Sequence, residues 1–147
     1  MTLRERILGT WELVKCVSRT RDGVESYPQG ENQRGFIVYS HDGYVSVNLM
    51  VPDRPLLSAA SIGSASEAEV AAITRGYMAY AGPYRVDEDK HLIHHEFDLC
   101  LNPNWIGTPQ IREASFIGDH LQLSVPKTTL NNQDQSVHLE WRRPGSP

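Results

Sequence analysis

The chain has 147 residues, of which 39% are hydrophobic and 22% are charged, and its formal net charge is −4. This length is enough for one domain with a core of its own, and we expect a single domain over residues 1–147. The slight acidity gives no electrostatic reason to expect binding to nucleic acid or to an anionic membrane, and no apolar run approaches the roughly 18 residues of a membrane span. The bulk properties therefore indicate a soluble globular protein.

The cysteines and the N-terminal residues bear on the cellular compartment. Cys16 and Cys100 lie far apart and lack a C-x-x-C spacing. Residues 1–8 carry mixed charges and lack the apolar stretch of a secretory signal. We therefore expect a cytoplasmic protein with two reduced thiols that have no special role.

Short runs rich in β-branched, aromatic and alternating apolar residues recur along the chain, and turn residues separate them. Such runs are typical of β-strands. The sequence predicts eight strands, at residues 9–18, 35–40, 44–50, 84–87, 91–101, 110–117, 121–125 and 136–143.

One segment, residues 66–81, departs from this pattern because it is rich in alanine and free of proline. Ser66 and Glu69 have the spacing of a capping box, which is a common signal for the start of a helix. The sequence predicts a helix over 66–81, between the third and fourth strands, that ends near Gly82 and Pro83.

The connections between the predicted strands alternate in length. Three are tight turns that contain Gly or Asp, at residues 40–43, 87–90 and 118–120. The other four are longer, at residues 19–34, 51–82, 102–109 and 126–135. In an up-and-down barrel, alternate connections lie at opposite ends, so the tight turns would close one end and the long loops would surround the other.

This alternation favours an all-β fold: an eight-stranded, antiparallel up-and-down barrel with one helix near its open end. A closed barrel of eight strands leaves room for about one small ligand. A sandwich of two sheets does not require the alternation, and it ranks second.

A series of short motifs resembles the lipocalin-like domain family of bacteria and fungi. The motifs follow one another in order: GTWELV at 9–14, G-x-x-x-Y-S-x-D-G-Y at 35–44, Y-A-G-x-Y at 80–84, His95, P-x-W-x-G-x-x-Q-x-R at 103–112, G-D-x-L-x-L at 118–123 and W-R-R at 141–143. The first includes the Gly-x-Trp signature of lipocalins. The resemblance implies a calycin-type barrel that binds small molecules; some relatives assist natural-product biosynthesis, and related barrels catalyse cyclisations.

The same resemblance bears on the closed end of the barrel. Lipocalins carry a basic residue on the last strand that packs across the tryptophan of the first strand. In a closed barrel these two strands pair, so Arg143 would stack on Trp11. We assign Trp11, Trp141 and Arg143 to the closed base.

The strand at 91–101 distinguishes the inner face of the barrel from the outer face. Side chains alternate along a strand. The apolar set, which should point inward, is Ile93, His95, Phe97, Leu99 and Leu101; the outward set is His94, Glu96, Asp98 and Cys100. The outward face that carries Cys100 is compatible with a homodimer. A polar outer face in solvent accounts for His94 and Glu96, and we expect no metal site.

His95 is then the one polar side chain of an inward-facing apolar stripe. A buried imidazole needs hydrogen-bond partners, and its pKa responds strongly to its surroundings. His95 is therefore either a group that orients or protonates a ligand, or a core histidine whose hydrogen bonds are satisfied within the protein.

Further candidates come from other strands and from the mouth. If Arg112 points inward, it would meet a carboxylate or enolate oxygen; if it points outward, it is a surface arginine, and the mixed pattern of 110–117 leaves both faces open. Trp105, Tyr77 and Tyr80 would either capture an amphipathic ligand at the mouth or pack the helix against the rim. Phe97 and the hydroxyl groups of Tyr39 and Tyr84 complete the set of candidate ligand-binding groups.

Two functions would use this one pocket. We favour a binding protein that holds a small, largely apolar or amphipathic metabolite and needs no cofactor. The alternative is a cyclase or isomerase that folds a natural-product intermediate in the same cavity, with His95 and Arg112 as catalytic residues. A third hypothesis is a dry structural barrel filled by its own side chains. The sequence contains no hydrolase, nucleotide-binding or zinc-protease fingerprint, and it leaves the question of catalysis open.

Overall fold

The computed structural model of the chain describes residues 1–130 and 133–145, with the side chains of 1–125 and 134–145. This part of the chain contains two α-helices, α1 (Leu3–Ile7) and α2 (Glu67–Arg75), and 3₁₀ turns at Ile62–Ser64 and Pro103–Trp105. Its strands are β1 (Gly9–Thr20), β2 (Glu25–Ser26), β3 (Arg34–Tyr39), β4 (Tyr44–Met50), β5 (Tyr77–Asp87), β6 (Leu92–His95), β7 (Leu99–Cys100), β8 (Gln110–Ile117), β9 (His120–Leu130) and β10 (Gln133–Arg142). Neither α1 nor α2 is long and apolar enough to cross a membrane.

Eight of these strands form a closed antiparallel barrel. The order around it is β1, β3, β4, β5, β6, β8, β9 and β10, and β10 pairs with β1 to complete the circle. The short strands β2 and β7 add to β1 and β5. Consecutive strands of the barrel are neighbours throughout, so the predicted up-and-down barrel is confirmed and the sandwich of two sheets is excluded.

The N-terminal helix α1, which the sequence analysis did not predict, closes the end of the barrel that carries the tight turns. Its side chains Leu3 and Ile7 are buried in the core. Glu88, in the turn between β5 and β6, accepts hydrogen bonds from the backbone N–H groups of Leu3 and Arg4 at 2.8 and 3.0 Å. Arg4 also donates to the carbonyl of His41, in the turn between β3 and β4, at 3.0 Å. The helix is thereby bonded to two of the turns that it covers.

The predicted stacking of the last strand on the first is confirmed at this end. Trp11 is 2% exposed, and its Nε1–H donates to the carbonyl of Ile7 at 2.8 Å. The Arg143 guanidinium lies 3.7 Å from the centroid of the Trp11 ring and donates to the carbonyls of Thr10 and Arg6. The Trp11 N–H and both Nη nitrogens of Arg143 therefore have partners inside the protein.

The predicted helix at 66–81 begins as expected and ends early. The capping box of Ser66 and Glu69 is present, but α2 ends at Arg75. From Tyr77 onward the chain is part of β5, whose Tyr77 pairs with Met50 of β4. The prediction is wrong for residues 77–81 because pairing with a neighbouring strand outweighs the local helix propensity of an alanine-rich segment.

The connection predicted as a long loop at 126–135 is instead the end of a long hairpin. Strand β9 continues to Leu130 and β10 begins at Gln133, with these two residues paired. Positions 131 and 132 lie outside the described residues. Strand pairing therefore extends past Val125, with an irregularity between the pairs Val125–Val137 and Thr128–Gln135, although residues 126–130 include a proline and polar residues.

A bulge interrupts the inward and outward alternation that we predicted for 91–101. His95 pairs with Tyr84, and Leu99 pairs with Ala81. The chain from His95 to Leu99 is one residue longer than the facing chain from Ala81 to Tyr84, and an extra residue reverses the faces of all later side chains.

The side chains after the bulge follow this reversal. Phe97 is still buried, but Leu99 and Leu101 are 67% and 46% exposed, so their predicted inward placement is wrong. Cys100 packs against the core instead of facing solvent, which removes it from the face that we considered for a homodimer. Gly82 makes the bulge possible, because a Cβ atom at this position would lie 2.5 Å from Phe97 Cα.

Candidate functional site

The barrel contains a cavity of about 500 Å³ that reaches the end opposite α1. Pro28, Gln29 and Arg75 form part of its rim, and α2 lies beside this mouth as predicted. The surface of its wall is mainly apolar, and the aliphatic side chains and methionine in it include Ile37, Val47, Leu49, Met78, Leu123 and Leu139. This volume lies within the ~300–1,000 Å³ of small-molecule sites, so the lumen is not filled by its own side chains.

Strands β9 and β10 supply a large part of the wall, which the sequence analysis did not identify. Val125 faces Val137, and Leu123 faces Leu139, across the pairing of the two strands. The alternation of these apolar residues with Gln122, Ser124 and His138 carried the signal, since inward positions of a barrel strand recur every second residue.

Trp141 lies in this wall as well, although we assigned it to the closed base. It is 1% exposed and lines the cavity, whereas Trp11 packs beneath Arg143. Its Nε1–H has no hydrogen-bond partner among the described residues. The two tryptophans of the first and last strands therefore differ: Trp11 belongs to the base, and Trp141 forms part of the cavity.

A hydrogen-bonded group of three side chains lies on the β5–β6 side of the cavity. His95 Nε2 is 2.8 Å from the Tyr39 hydroxyl, and His95 Nδ1 is 3.0 Å from the Tyr80 hydroxyl. His95 is 1% exposed. Burial lowers its pKa well below the ordinary value, and the nearby charges of Arg112 and His94 lower it further. The imidazole is therefore neutral at physiological pH.

Both tyrosines keep their protons for the same reason. Burial raises the pKa of Tyr39 well above its ordinary value, and Tyr80 adds to the shift while Arg112 opposes it. Burial also raises the pKa of Tyr80, again against the effect of Arg112. The group is thus uncharged and bonded in the order Tyr39, His95, Tyr80, with a cation beside its last member.

Arg112 points into the barrel. The sequence alone left open whether it lies on the inner or the outer face of its strand. Gln110 and Arg112 line the cavity, while Ile111 between them is 44% exposed on the outside. The Arg112 guanidinium donates to the carbonyl of Ile111 at 3.1 Å, and it has no ion pair with any described side chain. Its charge is therefore available inside a largely apolar space.

Two aromatic residues lie at the mouth. Trp105 comes from the 3₁₀ turn Pro103–Trp105, and Tyr77 is the first residue of β5; both line the cavity. The Tyr77 hydroxyl donates to Asn48 Oδ1 at 2.7 Å, and the Arg54 guanidinium lies 5.0 Å from its ring centroid. Asn48 alternates with the inward-facing Val47 and Leu49, so the Tyr77 side chain is bonded on the outer face of β4, although the residue lies at the edge of the cavity.

The other predicted ligand-binding residues lie behind the wall. The Tyr84 hydroxyl donates to the Ser40 carbonyl at 2.9 Å, and the ring centroids of Tyr84 and Tyr39 are 5.0 Å apart in an edge-to-face arrangement. Phe97 packs on Tyr80, with centroids 4.3 Å apart. The structure thus brings Tyr77, Tyr80, His95, Trp105 and Arg112 to the cavity surface and places Tyr39, Tyr84 and Phe97 in the surrounding core.

Arg85 contacts both His94 and Glu96. Glu96 is exposed as predicted, but His94 is only 9% exposed, so its predicted position in solvent is wrong. Arg85 Nε is 2.6 Å from the Glu96 carboxylate, and an Arg85 Nη nitrogen is 3.2 Å from His94 Nδ1. No group of three or more potential metal ligands occurs among residues 1–130 and 133–145.

Comparison with known proteins agrees with this architecture. Residues 8–144 match the lipocalin-like domain family. One similar protein is the 4′-hydroxy-3′-methoxypropiophenone carrier protein of Aspergillus oryzae, which is 31% identical over 106 residues, covering 67% of this chain and 96% of the relative. No solved structure matches the chain. Because the family match extends over nearly the whole barrel, the chain belongs to the lipocalin-like domain family.

Proposed function

We propose that this protein is a carrier that holds one small, largely apolar molecule inside the barrel. The cavity of about 500 Å³ behind an open mouth is the observation that carries the proposal. Moving apolar surface from water into such a space stabilises a complex by roughly 25 cal/mol per Å². A preformed cavity adds to this advantage, because little of the wall has to be ordered when the ligand binds.

The fungal relative supports the class of ligand. Its name describes the carrier of a single-ring aromatic ketone with one hydroxyl and one methoxy group. We extend to this chain only the class, a small aromatic molecule with few polar groups. Tyr77, Tyr80, His95, Trp105 and Arg112 are the residues that we assign to ligand contact, with Tyr39, Tyr84 and Phe97 shaping the site from behind. We also propose a cytoplasmic location, where the unpaired thiols Cys16 and Cys100 stay reduced.

A cyclase or isomerase acting in the same cavity is the second candidate. One observation favours it: the Tyr39–His95–Tyr80 group connects acid–base side chains to the cavity surface. Both ring nitrogens of His95 already face hydroxyl groups, so His95 would exchange a proton with a substrate through Tyr80, and Arg112 would stabilise a developing oxyanion. Incubation with a bound compound separates the candidates, because a carrier releases it unchanged and an enzyme releases an isomer.

Calorimetric titration with 4-hydroxyacetophenone, a single-ring aryl ketone, tests the carrier proposal. We expect the wild-type protein to bind one equivalent. Gln110→Trp, which places an indole in the cavity, should weaken binding at least about tenfold, or roughly 1.4 kcal/mol. The matched control Ile111→Trp changes the next residue, which faces outward, and should bind like the wild type. Absence of binding, or equal binding by the Gln110 variant, would contradict the proposal.

A further inference from the structure

We infer that the cavity binds the acceptor oxygen of its ligand with the Tyr80 hydroxyl and the Arg112 guanidinium, and that Tyr39 and His95 fix Tyr80 as a hydrogen-bond donor toward the ligand. The ligand class that this selects is an aromatic molecule with an electron-rich oxygen, such as a phenolate or an enolate. The inference rests on the proposed function and adds to it the polar group of the ligand and the direction in which the ligand lies.

The group around His95 contains a fixed number of hydrogens that can form hydrogen bonds. A neutral imidazole has one N–H donor and one acceptor nitrogen. One tyrosine must therefore donate to His95 while the other accepts from it. Either Tyr39 donates to Nε2 and Nδ1–H donates to Tyr80, or Tyr80 donates to Nδ1 and Nε2–H donates to Tyr39.

Burial distinguishes these two arrangements. In the second, the Tyr39 hydroxyl hydrogen has no acceptor, because this hydroxyl contacts only His95 among the described polar groups and Tyr39 is 1% exposed. An unmatched buried donor costs roughly 1–3 kcal/mol. The first arrangement gives Tyr39 its acceptor, and it leaves the unmatched hydrogen on Tyr80, which lines the cavity. The structure therefore assigns the His95 proton to Nδ1.

The Tyr80 hydroxyl can form only a limited number of hydrogen bonds. A hydroxyl donates once and accepts up to twice. In the assigned arrangement it accepts from His95 Nδ1–H and has the cationic Arg112 beside it, which leaves its single hydrogen for a group in the cavity. The partner that fits this hydrogen is an acceptor atom on a bound molecule.

The charged side chains that line the cavity favour a ligand with a negative oxygen. The described cavity lining contains Arg75 at the rim and Arg112 inside, with no aspartate or glutamate, although the whole chain has a net charge of −4. Arg112 also has no carboxylate partner among the described side chains. A cation in an apolar space attracts negative oxygen strongly and repels protonated amines.

Two probes of similar shape test the inference: 2-naphthol, which carries one oxygen, and 2-methylnaphthalene, which carries none. We expect the wild-type protein to bind 2-naphthol at least about tenfold more tightly. Absorbance titration of the complex should show that the pKa of the bound naphthol is lower than that of free naphthol. Tyr80→Phe and Arg112→Gln should each reduce the affinity ratio toward one and restore the naphthol pKa.

Tyr84→Phe is the matched control. It removes a hydroxyl from the same strand, but that hydroxyl is bonded to the Ser40 carbonyl and lies outside the cavity wall. The affinity ratio of this variant should equal that of the wild type. A ratio that falls as much as in Tyr80→Phe would overturn the inference.

Tyr39 provides a test of the proton assignment, because it is a positioning residue that does not line the cavity. Tyr39→Phe removes the donor to His95 Nε2, so His95 no longer favours one tautomer and the affinity ratio should fall. Nitrogen-15 NMR of wild-type His95 should show the proton on Nδ1. A proton on Nε2, or an unchanged ratio in Tyr39→Phe, would overturn the assignment.

The wild-type titrations also separate this inference from the proposed function. Equal affinity for the two probes would overturn the inference and leave the carrier proposal standing. Failure of both probes to bind would overturn the carrier proposal, and the inference would fall with it.

Discussion

At the closed end of the barrel, the polar groups around Trp11 are bonded within the protein: its own N–H reaches the Ile7 carbonyl, and Arg143 reaches the Thr10 and Arg6 carbonyls. In the cavity, Arg112 has no ion pair among the described side chains and Trp141 Nε1 has no partner among the described residues. Both regions combine tryptophan and arginine side chains. The two regions differ because the side chains of the base have their partners within the protein, whereas those of the cavity face an apolar space.

Whether the polar groups have partners separates the structural residues of this fold from the functional ones. Buried polar groups in native proteins are normally satisfied, so a group that lacks a partner needs a separate explanation. Around Trp11 the polar groups form hydrogen bonds within the protein, so we assign a stabilising role to the base. In the cavity, a Trp141 N–H without a partner and an Arg112 charge without an ion pair among the described residues indicate a site that a ligand completes.

The largest expected effect is at the base. Trp11→Ala should lower the free energy of unfolding by about 3–5 kcal/mol, because it removes a large buried aromatic side chain and the surface on which Arg143 stacks. Denaturant titration measures this loss. Trp105→Ala, at the mouth, should lower stability by less than ~1 kcal/mol while weakening ligand binding. Equal losses of stability in the two variants would remove the distinction between the ends.

The second prediction concerns the bulge after His95. Gly82→Ala should destabilise the fold by roughly 1–3 kcal/mol, because the new Cβ would meet the backbone of Phe97. Gly145→Ala is the control, since nothing lies within 4 Å of a Cβ at that position. A thermal or denaturant midpoint that is unchanged in Gly82→Ala would show that the chain relaxes around the bulge without cost.

The third prediction uses the buried imidazole beside the cavity. Folded His95 has a lower pKa than the unfolded residue, near 6.5, so the unfolded chain binds the extra proton first as the pH falls. The contribution of His95 to stability is complete above pH 6.5 and should decline below it by up to ~1.4 kcal/mol per pH unit. Urea unfolding at several pH values measures this slope. His95→Gln should have the shallower slope, and parallel curves would contradict a neutral, buried His95.

The smallest expected effect compares the two arginines. Arg143→Met should lower stability by about 1 kcal/mol through the lost contact with the Trp11 ring, and it should leave ligand affinity unchanged. Arg112→Met should do the reverse, with stability nearly constant and weaker binding of 2-naphthol. Parallel denaturant and calorimetric titrations of both variants test this, and a reversed pattern would exchange the roles that we assign to them.

The sequence predicted the base and the topology because local signals carry them. Gly9–Trp11 and Arg143 are recognisable motifs, and the alternating lengths of the connections place the tight turns at one end. The predicted helix at 66–81 is too long because residues 77–81 pair with β4, a contact that no local pattern reveals. The bulge after His95 depends on the close approach of Gly82 to Phe97, which also lies outside any local pattern.

The sequence predicted single residues of the site, but not how those residues combine. The alternation of strand 91–101 indicated that His95 points inward, but its two partners come from other strands, and Tyr39 is separated from it by 56 positions. Arg112 lay on a strand whose two faces were equally mixed, so only the closed barrel decides its direction. Trp141 was assigned to the base because its neighbour Arg143 is there, although side chains two residues apart differ in depth along the barrel axis.

The central claim is that the barrel interior is the binding site, and intermolecular nuclear Overhauser effects test it most directly. With methyl-labelled protein and bound 4-hydroxyacetophenone, we expect contacts from the ring protons to methyl groups of Leu123, Leu139 and Val47, which line the cavity. Contacts to the outward methyl groups of Ile111 and Val38 in place of these would contradict the account.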